Sequence, residues 1–454
     1  MKIAKLKIPV LLSGILCLSV LMPGIMSGAA HAKTFIWAPQ ELTQIINEGL
    51  ENNKEIQSLE AIVESLKEKA GFAGSLNDPR IGIAVLNLPT DSFRFDEQPM
   101  TQKQLFIAQK IPWFGKLDLK SQRVLLMATR QEAVLLAKQL EIAKKVANAY
   151  YKLGFIHYSQ EINKQLTGMM GQILSITETQ YSSGRGLQQD IYQAQVEISK
   201  LLDEKIILEK KRRIMEDRIN GLLNRKSFMQ IKPPIKMTYP ELNLSIPDLQ
   251  TQALKQNPWL KVKAIEIDQA KIGIELANKE YWPDIDFKLA YGQRDEDIMG
   301  RDLTDFVSAS MMMNVPLWKR NRQDKNLASI SAGHQAAVKA YKNLMESLPH
   351  KIDALSTEVL SLQKSYRLYA DTLISQTKEW AHSSLTGYKV GKMEFNTMMK
   401  AQIRLLRSEQ KAVNYLFNIY QKRAELEEVI GGPLPVEESR KNNSDNANEE
   451  MKHE

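Results

Sequence analysis

The six histidines, His31, His157, His334, His350, His382 and His453, are the first side chains to test for chemistry, as metal ligands or proton shuttles. No two of them have zinc-ligand spacing on one helix face, and the chain contains no HExxH motif. It also has no phosphate-cradling Walker loop, no GxGxxG turn after a strand and no GxSxG nucleophile elbow. Carboxylates are plentiful but fall on helical faces, where solvation accounts for them. An enzyme is therefore not expected, nor is a cofactor or a metal site. The 19 methionines offer another chemistry. Met311-Met312-Met313 and Met398-Met399 could bind copper or silver through soft thioethers. Adaptable apolar packing is the simpler account of them.

The only cysteine, Cys17, lies in an N-terminal segment with its own explanation. Lys2, Lys5 and Lys7 precede an apolar run from Ile8 to Met22, and Ala30-His31-Ala32 supplies a small-x-small cleavage pattern. Residues 1–32 are thus expected to be a secretory signal peptide. Leu16 before Cys17 departs from a lipoprotein signal, so lipidation is not expected. A mature chain without cysteine suits the periplasm or outer membrane and excludes thiol chemistry. Losing three lysines takes the formal charge from +8 to +5. That excess is small, and no basic cluster with interleaved aromatics suggests nucleic acid.

The elements that must position any site occur twice. Asn53 and Asn257, Pro79 and Pro283, and Pro112 and Pro316 are each 204 positions apart. Tyr181-Ser-Ser-Gly184 and Tyr388-Lys-Val-Gly391 stand 207 apart, as do Ala194-Gln195 and Ala401-Gln402. Short-period solenoids repeat every 20 to 50 residues; a half-chain repeat is one large unit used twice. The expected unit is helix, two strands, very long helix, tight turn, long helix. Residues 33–225 hold the first copy, with strands about 80–88 and 103–112 and a helical hairpin about 117–223. Residues 247–431 hold the second, with strands about 284–292 and 305–316 and a hairpin about 319–430. A proline-rich connector spans 226–246, and a disordered polar tail is expected over 432–454.

Ile285, Phe287, Leu289 and Tyr291 alternate with Asp284, Asp286, Lys288 and Ala290, and Val307, Ala309, Met311, Met313 and Val315 stand opposite Ser308, Ser310, Met312 and Asn314. Such strands of about ten residues cross a bilayer when tilted, although a half-buried soluble hairpin would look the same. The helix from Leu117 to Gln180 would be roughly 95 Å long at 1.5 Å per residue, a rod for a coiled coil or a tube. Pro349 is expected to kink or break the matching rod and to absorb the slip from 204 to 207.

The stretch Gln109-Lys-Ile-Pro-Trp-Phe-Gly-Lys116, its partner Asn314-Val-Pro-Leu-Trp318 and the two Tyr-x-x-Gly turns resemble the TolC-type outer-membrane efflux proteins. The first stretch resembles the heavy-metal branch, which handles copper and silver or cobalt, zinc and cadmium. The resemblance covers about residues 38 to 430. It implies a mainly α fold with a small β part, and a homotrimer whose twelve strands close a transmembrane barrel continued by a periplasmic α-helical barrel. It also implies the outer membrane of a Gram-negative-type envelope as location and lipid as surroundings. The expected partners are a periplasmic adaptor (membrane fusion protein) and an inner-membrane resistance-nodulation-division pump. The chain would be their passive exit duct. Tyr181, Gly184, Arg185 and Asp190 would form one gating tip, and Tyr388, Gly391, Lys392 and Lys400 the other, with Thr397 where Asp190 has its counterpart. Pro79, Pro112, Trp113, Gly115, Pro283 and Pro316 would mark transitions between barrel and helices. An outlet for type I secretion or small molecules, and a soluble periplasmic coiled-coil adaptor or scaffold, are the alternatives.

Overall fold

The computed structural model describes residues 40–434 apart from 235, 236, 238, 241, 243 and 244. The expected signal peptide and Cys17 lie outside the described residues, as does the tail from 435 onward. Each half opens with two helices: α1 (Gln40–Asn52) and α2 (Lys54–Gly74), then α5 (Ile246–Gln256) and α6 (Pro258–Lys279). Periodicity suggests one helix per half, but Asn53 and Asn257 interrupt the run. The Asn53 side chain accepts from the backbone N–H groups of Glu55 and Ile56 at 2.9 and 3.3 Å. Asn257 accepts from Leu260 at 3.0 Å. Each cap satisfies donors that a helix start leaves open, which gives the repeated asparagine a physical role.

Four antiparallel strands form one sheet in chain order: β1 (Arg80–Leu86), β2 (Gln102–Ile111), β3 (Ile285–Gln293) and β4 (Phe306–Met313). The register sets Ile83 against Leu105, Leu105 against Tyr291, and Tyr291 against Val307. One row further, Ile81, Ile107, Leu289 and Ala309 line up in the same way. Because side chains alternate between faces, one face is a continuous apolar field, and Ile83 on it is 86% exposed. The other face carries Gln104, Lys288, Ser308 and Ser310. There the Phe106 ring lies across Gly82, where an added Cβ would come within 2.5 Å of it.

A rod follows each strand pair. The first, α3 (Lys116–Ser182), is a single helix of 67 residues. The second consists of α7 (Gln323–Arg367), a π-helical segment (Leu368–Leu373) and α8 (Ile374–Lys389), and it too totals 67 residues. The returning helices are α4 (Gln188–Leu222) and α9 (Phe395–Ile430).

These limits correct two expectations. The rods begin 207 positions apart and end 207 apart, while β2 and β4 begin 204 apart. The three-residue slip therefore lies in the turn between strand and rod, not within the rod. Helix α7 also runs unbroken through Pro349. Its neighbours Leu348 and Ile352 are buried with Leu249, Ala253, Leu426 and Ile430, and this packing holds the segment helical despite one missing donor. The rod's irregularity comes later, at Leu368.

A third correction concerns the expected tail. Leu434 is only 3% exposed and packs in that same cluster, so ordered structure continues past Gly432. The largest cluster surrounds the middle of α3, where Leu140, Val146, Tyr150 and Leu153 meet α1, α4 and α9. A second, near the tips, joins Ile162, Leu166 and Met170 to Tyr388, Phe395 and Met398.

Candidate functional site: helical tips and sheet-to-rod junction

Both rods end in the same turn. Gly184 and Gly391 take φ values of +71° and +72°, a left-handed conformation in which glycine avoids the Cβ penalty. The Gly184 N–H donates to the Tyr181 carbonyl at 2.9 Å and the Arg185 N–H to the Gln180 carbonyl at 2.8 Å. In the second turn Gly391 donates to Tyr388 at 3.0 Å and Lys392 to Gly387 at 2.9 Å.

Identical backbones carry divergent side chains. Tyr181 is 46% exposed, whereas Tyr388 is 5% exposed and wedged between the two hairpins. The Tyr388 hydroxyl lies 3.2 Å from Thr177 Oγ1, and its carbonyl accepts from Gln180 Nε2 at 3.3 Å. Its ring meets Phe395 edge-on at 5.8 Å. Burial pushes the Tyr388 hydroxyl pKa up, the Thr177 contact opposes this, and the negative Asp190 nearby adds to it.

A cleft of about 580 Å³ separates the turns, lined by Arg185, Asp190, Tyr388, Lys389, Gly391 and Glu394 among others. Asp190 sits in the first turn of α4. Burial raises its carboxyl pKa, and the Leu187 backbone N–H acts in the opposite direction. A carboxylate facing the N-cap backbone is half of a capping box, so Asp190 has a structural task of its own. Arg185, Lys392 and Lys400 are exposed. Thr397, the counterpart of Asp190, brings no carboxylate to the second tip. The structure places Glu394, at the N-cap of α9, in the same cleft. An acid three residues ahead of Thr397 at a helix start is the signal that marks it.

The junction brings the other expected residues together. Pro79 directly precedes β1 and Pro283 stands just before β3, while Pro112 and Pro316 follow β2 and β4. Proline cannot donate to a ladder and suits strand ends. Trp113 stacks on Trp282 at 5.0 Å with 12° between the rings. Its backbone N–H donates to Asp284 Oδ1 at 3.1 Å. Lys116 Nζ bonds the same oxygen at 2.7 Å and the Trp282 carbonyl at 3.0 Å. Gly115, at φ +80°, turns the chain into α3. The knot thus ties the first rod to the third strand.

Residues 249–432 match the outer membrane efflux protein family. Over 432 residues the chain is 21% identical to the solvent efflux pump outer membrane protein SrpC of Pseudomonas putida, covering 91% of this chain and 90% of that protein. The toluene efflux pump outer membrane protein TtgI of the same species gives the same figures. Among solved structures, the outer membrane protein VceC of Vibrio cholerae superimposes with a TM-score of 0.72 at 17% identity, covering 87% of this chain and 97% of that one. CusC gives 0.73 at 16% identity, covering 88% and 93%. Sequence and fold comparisons alike support the efflux-protein family. The chain's place is the cell outer membrane of a Gram-negative envelope, with its helical part in the periplasm.

Proposed function

We propose that three copies of this chain form a passive exit duct across the outer membrane, fed by an inner-membrane resistance-nodulation-division pump through a periplasmic adaptor. The observation that carries the reading is the open four-stranded sheet, with one exposed apolar face and with the outer edges of β1 and β4 unpaired among the described residues. An open edge cannot stand in hydrocarbon, because each unpaired backbone group there costs several kcal/mol. Four strands are too few to close a barrel, while twelve from three copies close and give a lumen. Each copy also contributes two hairpins of nearly equal build, which supports a six-hairpin tube below the barrel.

The tips are the gate in this reading. Asp190 and Glu394, repeated around the axis, would favour cations at the narrow end, and Tyr388 would hold neighbouring hairpins closed. Metal cations are the cargo we propose, on the strength of the Gln109–Lys116 stretch. Solvents are the second cargo class, because SrpC and TtgI are named for solvent and toluene efflux. Single-channel recording from the purified protein in planar bilayers tests the duct: discrete cation-favouring conductance steps support it, and an electrically silent trimer refutes it. Survival of a deletion strain and its complemented parent on copper, silver and toluene distinguishes the cargoes.

A further inference from the structure

We propose that the turn Leu317–Arg322 binds the anionic headgroups of glycerophospholipids in the periplasmic leaflet of the outer membrane. The inference rests on the membrane placement of the sheet and goes beyond it. This is the turn that holds the three extra residues of the second half. In the first half Gly115 leads directly into α3, and the single cation there, Lys116, is buried and bonded to Asp284 and the Trp282 carbonyl. The longer turn is built differently.

Met311, Met313 and Val315 share one face of β4 and its extension by alternation. Beyond them come Leu317 and Trp318, 73% and 76% exposed. Lys319, Arg320 and Arg322 follow, all exposed. No ion pair to any of the three occurs among the described residues. The turn itself is ordered: the Asn321 and Arg322 N–H groups donate to the Trp318 carbonyl at 3.1 and 3.2 Å, and Asp324 donates to Lys319 at 2.9 Å. Phe114 and Trp282, also exposed, stand at the same end of the sheet.

From sheet toward rod the order is therefore aliphatic, indole, cation. That is the order of hydrocarbon, interface and phosphate through the boundary of a bilayer. Cations beside an anionic leaflet are drawn to its negative surface potential, and long basic side chains reach headgroups from an apolar base. Three unpaired cations at this depth favour a negatively charged lipid over a zwitterionic one.

The test uses the full-length protein in mixed micelles of phosphatidylcholine and phosphatidylglycerol. Native mass spectrometry of the wild type should show retained phosphatidylglycerol. The Lys319→Gln/Arg320→Gln/Arg322→Gln variant should retain about tenfold less or lower still, with phosphatidylcholine retention unchanged. Brominated phosphatidylglycerol should quench the wild type more than Trp318→Phe, a single variant that keeps the cations and guards against misfolding of the triple one. Unchanged phosphatidylglycerol retention in the triple variant would overturn the proposal. So would loss of the trimer with normal lipid retention by the chains still assembled, since the turn would then be a contact with a second copy. Absence of quenching by every brominated lipid, phosphatidylcholine included, would instead remove the membrane placement itself.

Discussion

Tyr388 is the side chain on which the two hairpins of one chain depend most visibly. Tyr388→Phe removes the hydroxyl contact to Thr177 and leaves the ring on Phe395. A loss of about 0.5–1.5 kcal/mol is expected, seen as a small rise in open probability. Tyr388→Ala also empties a buried aromatic site, costing about 3–5 kcal/mol, and should give long-lived large-conductance openings. Equal behaviour of the two variants in bilayer recordings would show that the ring is not a wedge. Glu427 makes a different prediction. Its Oε1 accepts from Arg423 Nε and the Leu434 N–H, both at 3.1 Å, while its Oε2 is buried with no hydrogen-bond partner among the described residues. Burial raises this carboxyl's pKa, and Arg423 only partly counters the effect. A folded-state value above the unfolded one gives stability that is fully present below about pH 4.3 and is lost as pH rises through the raised value. Glu427→Gln keeps an acceptor for Leu434 without the charge. Its melting temperature relative to wild type should climb with pH and then level off. A difference independent of pH would count against a buried ionising group.

At the scale of elements, glycines with enforced φ give the sharpest expectations. Gly431 closes α9 at φ +93°, and a Cβ there would stand 2.5 Å from the Gln256 carbonyl oxygen. Gly431→Ala should destabilise by about 1–3 kcal/mol, more than Gly391→Ala, whose surroundings are open; denaturant titration ranks the pair. Elements of this kind were also the most legible from sequence. Period-two alternation in Ile285–Tyr291 marks β3, and the Tyr-x-x-Gly turns mark the rod ends. The asparagine breaks at 53 and 257 were visible as landmarks but not as caps, because periodicity continues on either side of a single non-helical residue. Pro349 misled for the opposite reason: local propensity argued for a break, and the burial of Leu348 and Ile352 overrode it. At the tips, the backbone was readable and the tertiary partners were not. Nothing local distinguishes exposed Tyr181 from buried Tyr388, since what differs is the hairpin beside each.

For the whole molecule, the sheet edges left unpaired among the described residues are where the proposed trimer is tested. Ser308 and Ala309 are adjacent on β4, so their N–H groups point to opposite sides of the strand. One faces β3 and the other the free edge. Proline at the first kind of position removes an internal rung; at the second it removes a donor used only between copies. A closed barrel requires both Ser308→Pro and Ala309→Pro to lower the trimer fraction in light scattering. An isolated sheet would tolerate one of them. The equal length of the two rods sets a further limit, on how such a chain can change. Deleting one residue from α3 alone would raise its tip by about 1.5 Å and turn it by about 100° relative to the other. In the proposed trimer the rim would then be uneven at alternate hairpins, and a ring-shaped partner would meet only half of them. Insertions and deletions in the rods are therefore tolerable only in matched pairs, whereas the junction turns, which set no height, can lengthen singly.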